Sequence, residues 1–316
     1  ASGASSTAIG TQAEASGDLS TAVGRLSVAS GRLSDASGWR ATATGIGATA
    51  NGANTDATGN FSTALGYAAQ STGTSSSALG RSSNASANFA TAVGGLAQAT
   101  GLSSTATGYQ AEASGTNSTT SGRLSVASGT NSFSGGFRAG ASGDFSTSLG
   151  SLSDATATQS TAVGYASQST GNRAGAFGRS SLATANNATA LGSLSQATGV
   201  NSTATGYNAR ADHFFATAIG SNAQTTRDNQ IILGTAANTL TLRGVATAAS
   251  TAAQGTLHGL VTTDADGNLA SDGGALLTQV ATNVTGISSN ITDIAANALG
   301  IATNVSDITN NASGIA

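Results

Sequence analysis

Ser20-Thr21-Ala22-Val23-Gly24 is one copy of a unit that fills most of the chain. Its glycine returns every fourteen residues, from Gly10 through Gly24, Gly38 and Gly52 to Gly220, sixteen consecutive positions in one register, with Gly234 as a seventeenth. A second glycine column runs seven residues out of phase, at Gly3, Gly17, Gly31, Gly45 and onward, and is replaced only by Ala87, Ala157, Ala185 and His213. A fixed period of this kind means stacked units that touch only their neighbours, not a globular domain around one core.

Each half-unit is the length of a short strand and a tight turn, with glycine tolerating positive φ at the bend. Two halves close one flattened coil. Successive coils stack as parallel neighbours about 4.8 Å apart, so that sixteen of them span about 75 Å. Residues 1–220 are therefore expected to form a narrow, mainly β solenoid of fourteen-residue coils.

Strand alternation assigns the faces. Two residues before each glycine the chain prefers Ala (Ala8, Ala22, Ala64 and Ala92 in one half; Ala15, Ala29, Ala57 and Ala99 in the other), and four residues before it prefers Ser or Ala. These small columns are alike in both strands and suit the shared interior of a thin roll. The residue just before the first-half glycine is apolar at Ile9, Val23, Leu65, Leu79, Val93, Leu149, Val163, Phe177, Leu191 and Ile219, whereas its second-half counterpart is Ser or Thr in fifteen of sixteen units. Read outward, the apolar column is a stripe that must be covered, because exposed patches of that size mark interfaces. The alternative assignment turns the Val/Ile/Leu column inward.

The residue directly after the main glycine holds Arg25, Trp39, Tyr67, Arg81, Tyr109, Arg123, Phe137, Tyr165, Arg179 and Tyr207, including every tyrosine and the only tryptophan of the chain. Stacked coil on coil, these planar side chains form a ladder along one edge. It either caps the turns by mutual stacking or offers a binding strip with the composition of an interface hot spot. A longer period lies on top. Gln12-Ala-Glu-Ala-Ser-Gly17 matches Gln110-Ala-Glu-Ala-Ser-Gly115, and Arg25-Leu-Ser-Val-Ala-Ser-Gly31 matches Arg123-Leu-Ser-Val-Ala-Ser-Gly129, a shift of seven whole coils.

Composition fits a thin roll. Of 316 residues 4% are aromatic and 8% charged, with 43 glycines and no Pro, Cys or Met. Ordinary domains carry about 25% charged residues. A net charge of −3 gives no electrostatic case for a nucleic-acid partner. The lack of Cys removes disulfides and thiol catalysis, and no long apolar run spans a bilayer. No cofactor or metal pattern is evident. Asp264/Asp266/Asn268 superficially match a calcium loop, but glycine stands at the fourth position and no distal Glu follows, so an Asp-Gly hairpin turn is expected there.

The period fades after Gly220. Arg227–Gly234 and Asn238–Gly244 read as two short strands, with a turn at Thr235–Ala237, in a connector over 221–250. A second connector with a hairpin at Leu260–Ala270 covers 251–275, and 276–316 turns heptad. Leu277, Val284, Ile291, Ala298, Val305 and Ala312 fall at a, and Val280, Ile287, Ile294, Ile301, Ile308 and Ile315 fall at d. β-Branched residues at both favour trimers or tetramers over dimers.

A Gly-punctuated roll, a strand-rich connector and a trimer-type coiled coil, in that order, resemble the trimeric autotransporter adhesins of Gram-negative bacteria. Ser62-Thr-Ala-Leu-Gly66 and Ser160-Thr-Ala-Val-Gly164 are similar to the head repeat of the YadA-like family, usually written Ser-Val-Ala-Ile-Gly. The resemblance implies a left-handed parallel β-roll head, a neck, a parallel coiled-coil stalk, and a homotrimer. It also implies a location at the outer-membrane surface, through a C-terminal β-barrel anchor outside this chain, and attachment to host extracellular-matrix proteins, host-cell receptors or other surfaces. Departures are the frequent Thr for the motif Val, and Ser37, Asn51, Thr107 and Ser121 where a large apolar residue is usual. The expected trimer contacts are Ile9, Val23, Leu65, Leu79, Val93, Leu149, Val163, Leu191 and Ile219 in the head, and Val284, Ile287, Ile291, Ile294, Ile301, Val305 and Ile308 in the stalk. Three other classes compete. An enzyme needs converging acids, which the scattered acids do not provide. An ice-binding or surface-templating solenoid would use the Thr column at Thr21, Thr63, Thr91 and onward. A phage-type trimeric fibre shares the trimeric β-rich plan.

Overall fold

One fourteen-residue period is one coil with two strands. The computed structural model describes residues 1–239, 261–263 and 269–315. First-half strands of three residues (β1 Thr7–Ile9, β3 Thr21–Val23, and so on to β31 Thr217–Ile219) alternate with second-half strands of two (β2 Glu14–Ala15 to β30 Arg210–Ala211). Each strand pairs in parallel with the strand one coil away, fourteen residues on: Thr7 with Thr21, Ala8 with Ala22, Ile9 with Val23. Among the described residues the first-half strands make a 17-stranded sheet and the second-half strands a 15-stranded one. The turns are also tied coil to coil, as where Gly24 N donates to Ile9 O at 2.8 Å and Leu26 N to Thr11 O at 3.0 Å.

Between the sheets lies a core of alanines, serines and a few threonines. Ala22, Ala29, Ala64 and Ala92 are wholly buried, as are Ser27, Ser62 and Ser104, and the largest fully buried side chains are threonines. The outward reading of the apolar column is therefore the correct one. Two sheets this close leave no room for Val or Leu, which go to the outer face: Ile9 is 59% exposed and Leu149 47%.

The two glycine columns differ in cause. At the main register the backbone itself demands glycine, φ being +139° at Gly150. At the second register Gly143 needs no positive φ; there a Cβ would fall 2.0 Å from the Ala157 carbonyl oxygen of the next coil. The left-handed turn residue sits two positions after either glycine and is seldom glycine: Leu19, Phe61, Asn117, Arg173 and Asn187 all have φ between +54° and +59°. Positive φ was thus expected at both glycines and is found at one of them, with a non-glycine residue carrying the rest of each bend.

The first sheet continues past Gly220. Ile231–Leu233, β32, pairs in parallel with β31, so this segment extends the roll instead of beginning a separate pair of strands. Asn238 accepts from Thr235 N at 2.7 Å in the turn that follows, and the strand expected from Asn238 onward lies outside the described residues beyond Thr239. Described by itself, the second unit holds an antiparallel pair, β33 Val261–Thr263 with β34 Leu269–Ser271, as the hairpin reading required. The Asp264–Asn268 turn lies outside the described residues. Among the described residues of this unit one helix, α1, runs from Ala275 to Gly314. Asp272 opens it, its carboxylate accepting from Gly274 N and Leu276 N at 2.9 and 3.1 Å. None of its residues is buried in the single chain, and Ile294, in the apolar seam, is 67% exposed. A helix of this composition, rich in Thr, Asn and Ala, needs partners for its seam.

Candidate functional site

In a roll of thin coils filled by Ala and Ser, the chemistry lies on the faces and edges. The first-sheet outer face carries the apolar column beside a Thr column. Where that face lacks a side chain, a neighbouring ring fills the gap. A Cβ at Gly135 would lie 3.2 Å from the Phe133 ring, and one at Gly175 would lie 2.7 Å from Phe177. Ring and glycine are two residues apart on the same face of one strand, so the face stays level. Level apolar faces suit packing against a like surface.

The second sheet presents hydroxyls and amides, from Ser16 and Thr44 beside Gln70, Gln98 and Gln168, which are outward and exposed or half-buried. Asp154 is the exception in its electrostatics: partial burial pushes its carboxyl above the ordinary value. Its side chain leans over Gly140, where a Cβ would lie 3.0 Å from its Oδ1.

The first bend holds the ladder, and the coil-to-coil turn bonds fix its spacing. Arg25, Trp39, Tyr67, Arg81, Tyr109, Arg123, Phe137, Tyr165, Arg179 and Tyr207 are all exposed along this edge. Stacking is local. The Arg123 guanidinium lies 5.9 Å from the Tyr109 ring centroid and 5.6 Å from that of Phe137, bridging three coils, and Arg40 stands 5.6 Å over Trp39. Among the described residues the one ring–ring contact is Phe214–Phe215, away from the ladder. The ladder arginines have no carboxylate partner, since the one ion pair among the described residues joins Arg210 and Asp212. Tyr67, Tyr165 and Tyr207 stand 53–54% exposed. The edge is thus an open row of unpaired cations and half-exposed rings.

The second bend was missed by the sequence reading. Asp and Asn side chains there accept from the backbone one coil back, as Asn186 Oδ1 does from Asn172 N at 3.1 Å and Asp144 Oδ1 from Thr130 N at 2.8 Å. The signal that would have found it is the Asp or Asn that recurs directly after the out-of-phase position, at Asp18, Asn60, Asn88, Asp144 and Asn186.

The repeating unit itself is matched by the family model for the YadA head domain repeat. The matches run over residues 1–27, 43–69, 71–97, 99–119, 127–153 and 155–181, then overlap through 176–195, 183–209, 197–223 and 214–229, and take in more than half of the chain. The chain belongs to the YadA head repeat family. Among solved structures the collagen-binding domain of the Yersinia adhesin YadA is similar at 16% identity and a TM-score of 0.21, over 85% of this chain and 86% of that one. No curated protein matches the chain. The fold is that of the family: a parallel β solenoid of about sixteen turns, followed here by a C-terminal helix. Among the described residues no helix is long and apolar enough to cross a membrane.

Proposed function

We propose that this chain is the head, neck and first stalk segment of a homotrimeric adhesin, displayed at the outer-membrane surface of a Gram-negative bacterium through an anchor outside the chain. Its task is attachment to host extracellular-matrix proteins, host-cell receptors or other surfaces, by binding and not by catalysis. Membership of a head-repeat family supports the adhesin reading. The level apolar face of the first sheet and the uncovered a/d seam of α1 support three-chain assembly, each needing cover that one chain lacks. In that trimer Ile9, Val23, Leu65, Leu79, Val93, Leu149, Val163, Leu191 and Ile219 would face the neighbouring protomers, and Val284 to Ile308 would line the stalk.

The observation that carries the adhesive role is the open Arg/Tyr edge, whose chemistry recurs in both halves of the duplication: Arg25 and Arg123, Trp39 and Phe137, Tyr67 and Tyr165, Arg81 and Arg179. Planar, rigid side chains bind at low entropic cost. Three copies of a long row turn modest single contacts into avidity. The test replaces Tyr67, Arg81, Tyr109, Arg123, Tyr165 and Arg179 by Ser. Cells displaying this variant, with trimer mass and melting unchanged, should lose most of their adhesion. Undiminished adhesion would assign the ladder to structure alone.

A further inference from the structure

The seven-coil duplication compares the two edges of the roll under one fold. At the first bend Arg25/Arg123, Trp39/Phe137, Tyr67/Tyr165 and Arg81/Arg179 keep their class, and the left-handed position that follows keeps Gln12/Gln110, Leu26/Leu124, Arg40/Arg138, Ala68/Ala166, Ser82/Ser180 and Leu96/Leu194, changing only Asn54 to Leu152. At the second bend the left-handed position keeps only Ser5/Ser103 of its seven: Leu19 becomes Asn117, Leu33 Asn131, Gly47 Phe145, Phe61 Gln159, Ser75 Arg173 and Phe89 Asn187. The turn geometry is the same in every pair, with φ from +52° to +63° wherever a side chain is present. The fold therefore accepts either chemistry, and the second edge is free to be shaped by what it meets.

In the second half this edge becomes polar and concave. Thr158, Gln159, Asn172, Arg173, Asn186 and Asn187, from three successive coils, line an open hollow of about 350 Å³. Arg173 is held in place by its Nε donating to Gln159 Oε1 at 3.0 Å, which leaves the terminal nitrogens of the guanidinium for another partner. It makes no ion pair, and the lining holds no carboxylate. Asn187 Nδ2 donates to Asn201 Oδ1 at 3.0 Å and Asn186 Oδ1 accepts from Asn172 N, which leaves the Asn187 amide oxygen and the Asn186 amide nitrogen beside the Asn172 side chain in the hollow. A fixed cation surrounded by amide and hydroxyl groups matches an anionic group carried on a hydroxyl-rich chain. Arginine pairs with carboxylate or sulfate through parallel hydrogen bonds, and amides serve the neighbouring hydroxyls.

We propose that the hollow around Arg173 is a binding site for an anionic saccharide, distinct from the Arg/Tyr ladder and independent of whether that ladder is adhesive. The first half supplies the control, because its equivalent spot, Phe61–Ser75–Phe89, carries no charge. The experiment measures binding of the intact chain to immobilised oligosaccharides: one of alternating glucuronate and N-acetylglucosamine, a sulfated heparin fragment, and a neutral N-acetylglucosamine oligomer. The anionic sugars should bind, weakening as salt rises, and the neutral one should not; the first two arms tell carboxylate from sulfate. Arg173→Ser, which installs the residue already tolerated at Ser75, should lower affinity about tenfold, the loss of one charge-assisted pair. Phe61→Gln with Ser75→Arg and Phe89→Asn should add a second site per chain. Failure of both anionic sugars to bind, unchanged affinity in Arg173→Ser, or equal binding of poly-glutamate would overturn the proposal. The adhesion of the six-Ser ladder variant is read separately, so the two ideas fail independently.

Discussion

Gly150→Ala and Gly143→Ala place the same methyl group at two positions one half-coil apart, and their ranking tests why the glycines recur. Contact distance alone predicts that Gly143→Ala is worse, with its Cβ 2.0 Å from the Ala157 oxygen against 2.4 Å from the Gly164 oxygen for Gly150→Ala. Backbone conformation predicts the reverse. Gly150 lies at φ +139°, a region that side chains rarely adopt, and Gly143 does not. Alanine already stands in the out-of-phase column at Ala87, Ala157 and Ala185 and nowhere in the main one, so the close approach can relax while the dihedral cannot. Strain of about 1–3 kcal/mol for the dihedral, added to about 1–3 kcal/mol of overlap, puts Gly150→Ala near 4 kcal/mol. Gly143→Ala should stay near 1 kcal/mol, at the low end of the overlap cost alone. Coils open locally, so the readout is amide hydrogen exchange across Thr147–Val163. The difference of about 3 kcal/mol corresponds to roughly a hundredfold greater loss of protection in Gly150→Ala. Equal losses, or a larger one in Gly143→Ala, would show that close approach and not φ sets the period.

Two further changes probe the interior and the second sheet. Ser104 Oγ is buried without a hydrogen-bond partner while Ala48 and Ala90 fill the same column, so Ser104→Ala should raise stability by about 1 kcal/mol, read as an increase in melting temperature. Asp154 has its folded-state pKa raised by desolvation, so the folded chain holds the proton more tightly than the unfolded one. Its contribution to stability is then lost as pH rises from the unfolded carboxylate value through the raised one. Asp154→Asn should remove that slope, and melting curves from acid to neutral pH that keep it would count against the assignment.

Period, strand length and the small-residue interior were all legible, because in a solenoid every coil repeats one local problem and sixteen glycines report the same answer. The heptads likewise announced α1 to within two residues of its start. Ile231–Leu233 was misread because the flanking repeat loses its Ser and Ala there, although the coil-to-coil pairing continues. The ladder was visible as a column, but its lack of ring stacking was not, since Ala53, Gly95, Ser151 and Ser193 interrupt the row and ring spacing depends on side-chain tilt. The hollow at Arg173 escaped notice because its left-handed column, Gln159, Arg173 and Asn187, shares no type across coils. Only the backbone shows that Gln159, Arg173 and Asn187 occupy one left-handed position in consecutive coils.

The central claim is that one chain is incomplete and three cover each other's apolar faces. Light scattering on the purified chain should give about three times the 30.1 kDa of a single copy. Val93→Glu, which would bring unpaired charges into the covered face, should loosen or dissociate the heads, while Gln98→Glu on the polar sheet leaves them intact. A mass of 30.1 kDa for the unmodified chain would contradict the account.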